Sequence, residues 1–250
     1  MKILLIIAAG NSTRMGELPK AVSLVHGTPN LYNTVDKAYR HYDKIFVSSN
    51  TKNFLLYREV LEEFDDKVQI VTINSGHGCG HAVLKTIEAI ETDDKFLESI
   101  EHTSVCWGDA YFETDRIFYE ITKTGYSEPI VIPVIVEDNP YVWFETYDYH
   151  KTKIANSMFS KRGESTAIGF HDQSIFKIDI QKVKNALTIL DTFTYKVSTK
   201  SYLQEIIFLD LVNYFYNTND SCRLYVTEHR TKAYNTKEEL ADINIKIKIK

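Results

Sequence analysis

Four short apolar runs are spaced along the first half of the chain: Ile3 to Ala8, Lys44 to Ser49, Val68 to Ile73 and Ser104 to Trp107. Between them lie segments with helical periodicity, Pro29 to Tyr42, Asn53 to Phe64 and Gly80 to Ile90. Strands without a polar face must be covered on both sides, and their alternation with helices is the rhythm of a Rossmann-like, mostly parallel α/β sheet with helices on both faces. Thr28-Pro29 sets a capping residue before a proline suited to the first helical turn, which marks the start of the first helix. Ligands of such sheets sit at the carboxyl ends of the strands, so the residues after the first strand are the first place to look for chemistry.

Those residues are Ala8-Ala9-Gly10-Asn11-Ser12-Thr13-Arg14, followed by Met15, Gly16 and, after Pro19, Lys20. Gly10, Ser12 and Gly16 let backbone N–H groups converge on one point with little obstruction, and Arg14 and Lys20 add two fixed cations around it. This reads as a cradle for a polyphosphate; the alternative is an ordinary polar turn with both cations solvated. The P-loop pattern and the dinucleotide fingerprint do not fit, because the lysine follows a proline and only Gly10 and Gly16 are present.

The chain has 250 residues and a net charge of −5, enough for a sizeable core and adverse to nucleic acid as the main partner. Cys79, Cys106 and Cys222 have no CxxC spacing, which fits a reducing cytoplasm and no metal cluster. The apolar run from Ile3 to Ala9 is seven residues long, short for a signal peptide and far below a membrane span, so it reads as a buried strand. On that reading the sequon Asn11-Ser12-Thr13 is not exposed to glycosylation, and neither a membrane nor nucleic acid is expected as a partner.

Beyond Glu113 the order is less regular. A helix is expected at about Glu113 to Lys123, then Pro129 to Glu137 and Tyr141 to Tyr147 as a strand pair around Asp138-Asn139-Pro140. A polar stretch to Asp172, a strand over Ser174 to Asp179 and helices over Ile180 to Leu190 and Leu203 to Tyr216 follow. No repeat or linker is visible, so one domain is expected, with a nucleotide-binding half over about 1–125 and an acceptor-binding half over about 126–250. The closing Ile-Asn-Ile-Lys-Ile-Lys-Ile-Lys alternates strictly, as a half-buried edge strand guarded by lysines or as a frayed charged tail.

Two later motifs bear on the cradle. Val105-Cys106-Trp107-Gly108-Asp109 is a buried strand ending in a carboxylate, which can hold Mg²⁺ while substrate phosphates complete the shell, or can be only a turn. Ser75-Gly76-His77-Gly78-Cys79-Gly80-His81-Ala82 opens a helix and has no partner cluster with metal-ligand spacing.

Together, the apolar strand, the small-residue turn, Arg14 and Pro19-Lys20 resemble the signature of the nucleotidyltransferases that join a nucleoside monophosphate to a phosphorylated acceptor, the sugar-phosphate nucleotidyltransferases and their relatives. The resemblance implies the nucleotide-diphospho-sugar transferase fold with an inserted acceptor-binding β region. It implies that Ala8, Ala9, Gly10, Asn11, Ser12 and Thr13 line the nucleotide, that Arg14 meets the β- and γ-phosphates, and that Lys20 lies near the α-phosphate or the acceptor phosphate. Asp109 stands where the family binds its catalytic metal. Asn235, in Tyr234-Asn235-Thr236-Lys237-Glu238-Glu239-Leu240, stands where it has a second ligand; Thr236 with Glu239 is also a helix capping box.

Gly78, Gly80 and His81 match the family turn that borders the base. The glutamine that reads uracil in the uridylyltransferase branch falls near Ile73, with Asn74 as the substitute, which points away from UTP and toward CTP. The acceptor would lie against the Pro129 to Phe176 region, with Glu145, Lys161, Arg162 and Gln173 as candidate contacts; Lys161-Arg162 is otherwise a solvated basic pair. The run Pro140-Tyr141-Val142-Trp143-Phe144-Glu145 resembles the cytidylyltransferases that act on phosphoglutamine in bacterial capsule phosphoramidate synthesis. The implied reaction is Mg²⁺-dependent transfer from an NTP with release of pyrophosphate, and it needs no general base because a phosphate nucleophile is already ionised. A sugar-1-phosphate acceptor and a non-catalytic nucleotide-binding regulator are the alternative readings.

Overall fold

The structure is a computed structural model that describes residues 1–10, 18–64, 66–74, 77–91, 94–138, 140, 142–147, 150, 152–159, 168–197, 205–234 and 236–245. In chain order the first half comprises β1 (Lys2–Ile7), β2 (Leu24–Val25), β3 (Thr28–Pro29), α1 (Asn30–Ala38), β4 (Lys44–Ser49), α2 (Phe54–Val60), β5 (Val68–Thr72), α3 (Cys79–Ile90), α4 (Asp94–Glu98), β6 (His102–Trp107), β7 (Ala110–Phe112) and α5 (Arg116–Lys123). The second half comprises β8 (Ile130–Asp138), β9 (Val142–Thr146), β10 (Lys153–Phe159), β11 (Ile168–Asp172), β12 (Ile175–Ile178), α6 (Ile180–Val197), α7 (Asp210–Asn217), β13 (Cys222–Val226), β14 (Thr231–Ala233) and α8 (Lys237–Ile245). Single 3₁₀ turns lie at Lys20–Val22 and Glu62–Phe64.

One sheet runs through both halves, in the order β5-β4-β1-β6-β12-β8-β13-β10-β9, with β11 on β8. The β5-β4-β1-β6 block is parallel throughout, as is β13 on β8, and antiparallel β12 joins the two blocks. This is the mostly parallel α/β sheet that the apolar runs predict. Ile3, Leu4, Leu5 and Ile6 are all fully buried because β1 is central and its side chains alternate between faces. Ile3 and Leu5 pack with Val83, Ile87, Val183 and Leu187 from α3 and α6. Leu4 and Ile6 pack with Leu31, Val35, Tyr57 and Phe118 from α1, α2 and α5.

Several expectations are corrected. Pro29 is extended (φ −54°, ψ 133°), so α1 starts at Asn30 and Pro29 occupies the cap position. β8 and β9 do not pair: β8 takes β11 and β12 on one edge and β13 on the other, while β9 pairs with β10. The polar stretch before Asp172 contains two strands, β10 and β11. Ile243 to Ile245, the start of the alternating tail, is the last turn of α8 instead of a strand, and residues 246–250 lie outside the described residues. Of the capping box, the threonine half forms: Thr236 Oγ1 accepts the Glu239 N–H at 3.2 Å.

β11 and β12 are nearly one strand along β8. The register moves from Asp172 opposite Val134 to Lys177 opposite Val131, so extra residues are inserted at Gln173-Ser174. Ser174 adopts φ +56° in this bulge, and its carbonyl accepts the Trp107 N–H at 3.2 Å. A bulge of this kind bends the strand so that β12 reaches β6 while β11 stays on β8.

Candidate active site

The carboxyl ends of β1 and β6 lie side by side, and the turns that follow them form the centre of the site. Gly108 N–H donates to the Ile7 carbonyl at 2.9 Å, and a Cβ on Gly108 would come within 2.7 Å of Ala8 Cβ. Only glycine permits that approach of the turn after β6 to Ala8. Beyond it, Asp109 Oδ2 accepts from Lys20 Nζ at 3.2 Å, across 89 residues of chain. Lys20 is 15 % exposed at its side chain and Asp109 31 %, so the pair is partly screened from water and open on one side.

Buried side chains brace both turns. Asn30, fully buried at the start of α1, donates its amide to the Gly108 and Ala110 carbonyls at 3.3 and 2.9 Å, on either side of Asp109. Ser48 Oγ accepts the Ala8 N–H at 3.0 Å, the Tyr57 hydroxyl donates to the Ala8 carbonyl at 2.8 Å, and Asn50 donates to the Ala9 carbonyl at 3.2 Å. Tyr234, fully buried, donates to the Lys20 carbonyl at 2.6 Å. β14 pairs antiparallel with β7, with Ala233 opposite Ala110, which carries Tyr234 to the level of Asp109. Asn244 of α8 accepts from His26 N–H and donates to the Leu24 carbonyl, docking the C-terminal helix beside the same turn.

Burial pushes the hydroxyls of Tyr57 and Tyr234 well above the usual phenol range, with the Asp109 carboxylate acting in the same direction on both. They are therefore neutral donors at physiological pH. Sequence reasoning did not find Asn30, Ser48, Asn50, Tyr57 or Tyr234. Each acts on a main-chain carbonyl or N–H far away in sequence, and no local motif encodes such a bond.

The other sequence-derived residues divide as follows. Ala8 and Ala9 are buried and Gly10 is exposed directly beyond them, while Asn11, Ser12, Thr13 and Arg14 lie outside the described residues. Asn74 is exposed after β5, one strand beyond β4. Gly78 adopts φ +93° at the start of α3, and a Cβ there would lie 2.5 Å from the Ile206 carbonyl. The amide of Gly80 is taken by that carbonyl at 2.8 Å. His81 is 7 % exposed, its ring lies edge-on to His77 with centroids 5.0 Å apart, and its Nδ1 has no hydrogen-bond partner among the described residues. Burial lowers its pKa, so the ring is neutral at pH 7.

Asn235 also lies outside the described residues, directly after Tyr234 in the chain, as do Lys161 and Arg162. Glu145 is exposed on edge strand β9, far from Asp109 across β10, β13, β8 and β12. Gln173 is fully buried: its Nε2 donates to the His171 carbonyl at 3.0 Å and its Oε1 accepts the Thr231 N–H at 2.8 Å. It ties the bulge to the start of β14, so its amide belongs to the wall and not to an open pocket surface. Next to it, Asp172 is 8 % exposed and accepts the Ser174 N–H at 3.0 Å, and burial raises its carboxyl above the ordinary carboxylate value.

No group of three or more His, Cys, Asp or Glu among the described residues is placed to hold a metal ion. A single carboxylate is nonetheless sufficient where substrate phosphates supply the other oxygens. The Asp109 carboxylate is paired with the Lys20 ammonium. No described helix is long and apolar enough to cross a membrane.

The whole chain is similar in fold to solved structures of other proteins. HddC from Yersinia pseudotuberculosis complexed with GMP-PN matches with a TM-score of 0.68 and 17 % identity, over 99 % of this chain and 100 % of that one. A second HddC structure from the same organism matches with a TM-score of 0.68 and 14 % identity, over 98 % and 99 %. A protein from Bacillus anthracis assigned as a glucose-1-phosphate thymidylyltransferase, in complex with a sucrose, matches with a TM-score of 0.73 and 15 % identity, over 100 % and 96 %. At the sequence level no curated protein matches. The strand-end site therefore sits on the nucleotide-diphospho-sugar transferase fold, and residues 4–150, more than half of the chain, match the MobA-like NTP transferase domain, the family to which this chain belongs.

Proposed function

We propose that the protein transfers a nucleoside monophosphate from an NTP to the phosphate of a small acceptor. An acceptor phosphate oxygen attacks the α-phosphorus in line, the bond from that phosphorus to the β-phosphate oxygen breaks, and pyrophosphate leaves. The observation that carries this reading is the Lys20–Asp109 pair, held at the ends of β1 and β6 in a chain of the MobA-like NTP transferase family.

On this reading Lys20 meets the charge that accumulates on the reacting phosphates, and Arg14 meets the β- and γ-phosphates. Asp109, with Asn235, would hold Mg²⁺, which when bound neutralises phosphate charge during the transfer. The buried ties to Ala8, Ala9 and Lys20 keep the cradle fixed, so little reorganisation is needed as charge develops. Residues of the first half, about 1–125, take the nucleotide and those of the second half take the acceptor, with Lys161 and Arg162 as contacts from that half.

CTP is the favoured nucleotide, because Ile73 and Asn74 replace the glutamine that reads uracil in the uridylyltransferase branch. The Pro140 to Glu145 run supports an acceptor of the phosphoglutamine type, giving a CDP-linked product for capsule modification in the cytoplasm. A second reading, a sugar-1-phosphate acceptor giving an NDP-sugar, is supported by the similarity to the Bacillus anthracis protein.

The test is a matrix of four NTPs with Mg²⁺ against phosphorylated sugars, phosphocholine and phosphorylated amino-acid amides, scored by pyrophosphate release. One NTP–acceptor pair, with CTP preferred, is the expected result. NTP binding without pyrophosphate across the whole panel would make the protein a nucleotide-binding regulator.

A further inference from the structure

Glu120, on α5, gives its carboxylate to three groups from one short stretch of chain 105 to 109 residues away. Oε2 accepts the Tyr225 and Thr227 hydroxyls at 2.9 and 3.0 Å, and Oε1 meets His229 Nε2 at 2.9 Å. The His229 N–H also bonds Thr227 Oγ1 at 3.2 Å, which folds this stretch around the carboxylate. Burial opposes the charge on Glu120, but the three bonds outweigh it and hold the carboxyl below its usual value. Burial and the carboxylate push the Tyr225 phenol up to about 12, so it stays a donor at neutral pH. The carboxylate itself stands on firm ground, because α5 buries Ile117, Phe118 and Ile121.

The stretch held by Glu120 leads straight into the site. After His229 the Thr231 N–H bonds Gln173 Oε1, β14 pairs with β7, and Tyr234 reaches the Lys20 carbonyl. β7 and β14 form a two-stranded sheet apart from the main one, and so short a ribbon is not stable by itself. The anchors at its ends therefore decide where β14 lies. We propose that Glu120 is a positioning residue for nucleotidyl transfer: it clamps the chain entering β14 and, through β14, sets where Tyr234 holds the Lys20 backbone. This rests on reading Lys20 as a contact of the reacting phosphates, and Glu120 acts only through the intervening chain.

The test combines amide hydrogen exchange of the full-length, nucleotide-free protein with steady-state kinetics on the NTP–acceptor pair that gives turnover. In Glu120→Ala, exchange at Lys232, Ala233 and Tyr234 is expected to quicken about tenfold or more while the β1 amides keep their rates. Its kcat is expected to fall about tenfold with little change in KM, the pattern of a lost transition-state contact. Combining Glu120→Ala with Tyr234→Phe should still cost about tenfold, where independent effects would multiply to about a hundredfold. Glu120→Gln should restore most of the activity, because its amide oxygen accepts both hydroxyls and its NH₂ donates to a neutral imidazole. Should Glu120→Ala fail to fold, Tyr225→Phe with Thr227→Val removes two of the three bonds from the other side and is read in the same way. Unchanged exchange in β14 would overturn the clamp, and multiplicative losses, or a kcat equal to wild type with faster exchange, would overturn its catalytic consequence. A wild type without turnover would refute the transferase reading and that consequence with it, while the exchange rates would still decide the clamp.

Discussion

Asp109 and Lys20 carry the charge of the site, but their neighbours decide where that charge stands. Asp109→Ala is expected to lower kcat/KM by about two to three orders of magnitude or more with an unchanged fold, since it removes stabilisation made mainly in the transition state; steady-state kinetics beside a melting curve checks this. Tyr234→Phe removes one hydroxyl and keeps the ring. Its stability cost should be about 1 kcal/mol or less in urea denaturation, because the Lys20 carbonyl keeps the Ser23 N–H as a partner. Its kcat should fall by about tenfold, more than that cost explains, as the ammonium loses its fixed position; a kcat equal to wild type would reduce Tyr234 to a packing residue. At this scale the sequence discloses the ends of the pair, because Pro19-Lys20 and Gly108-Asp109 are local motifs. Asn30, Tyr57 and Tyr234 stay hidden, because each bonds a main-chain group between 49 and 214 residues away.

Among the elements, the strands of the β5-β4-β1-β6 block are legible because each holds a short apolar run, and central β1 is apolar from Ile3 to Ile7. β10, β11 and β13 are not, since exposed or short strands such as Ile168–Asp172, interrupted by Gly169 and His171, show little period of their own. The β8–β9 pairing failed because nearness in sequence is a weaker constraint than the three strands already lining the edges of β8. The Gln173-Ser174 bulge was invisible for the same reason, yet it turns β12 onto β6 beside Asp109. Ser174 sits at φ +56°, where a β-branched residue is strained. Ser174→Val should therefore cost about 1–3 kcal/mol of stability, measured by urea denaturation, and a neutral result would mean that the bulge can relax.

For the molecule as a whole, the α/β sheet follows from the spacing of the four apolar runs, and the chain-wide fold similarity extends that architecture through the second half. Its stability should also depend on pH through a group remote from the site. His102, 7 % exposed on β6 and hydrogen-bonded to Ser104 at 2.7 Å, has its pKa pushed down to about 4 by burial, with Lys177 and Lys2 adding to the effect. The unfolded chain takes up this proton near pH 6.5 and the folded one does not until about pH 4, so the stability His102 contributes is intact above 6.5 and is lost as pH falls toward 4. The loss amounts to about 3 kcal/mol across that window. His102→Gln should flatten the acid limb of a stability–pH curve, and an unchanged limb would place the acid sensitivity elsewhere. The central claim, nucleotidyl transfer at the Lys20–Asp109 strand ends, is tested most directly by following isotope from α- and γ-labelled NTP with the acceptor that gives turnover. The α-phosphorus should appear in the acceptor product and the γ-phosphorus in pyrophosphate, both lost in Asp109→Ala; γ-label released as inorganic phosphate or transferred to the acceptor would contradict it.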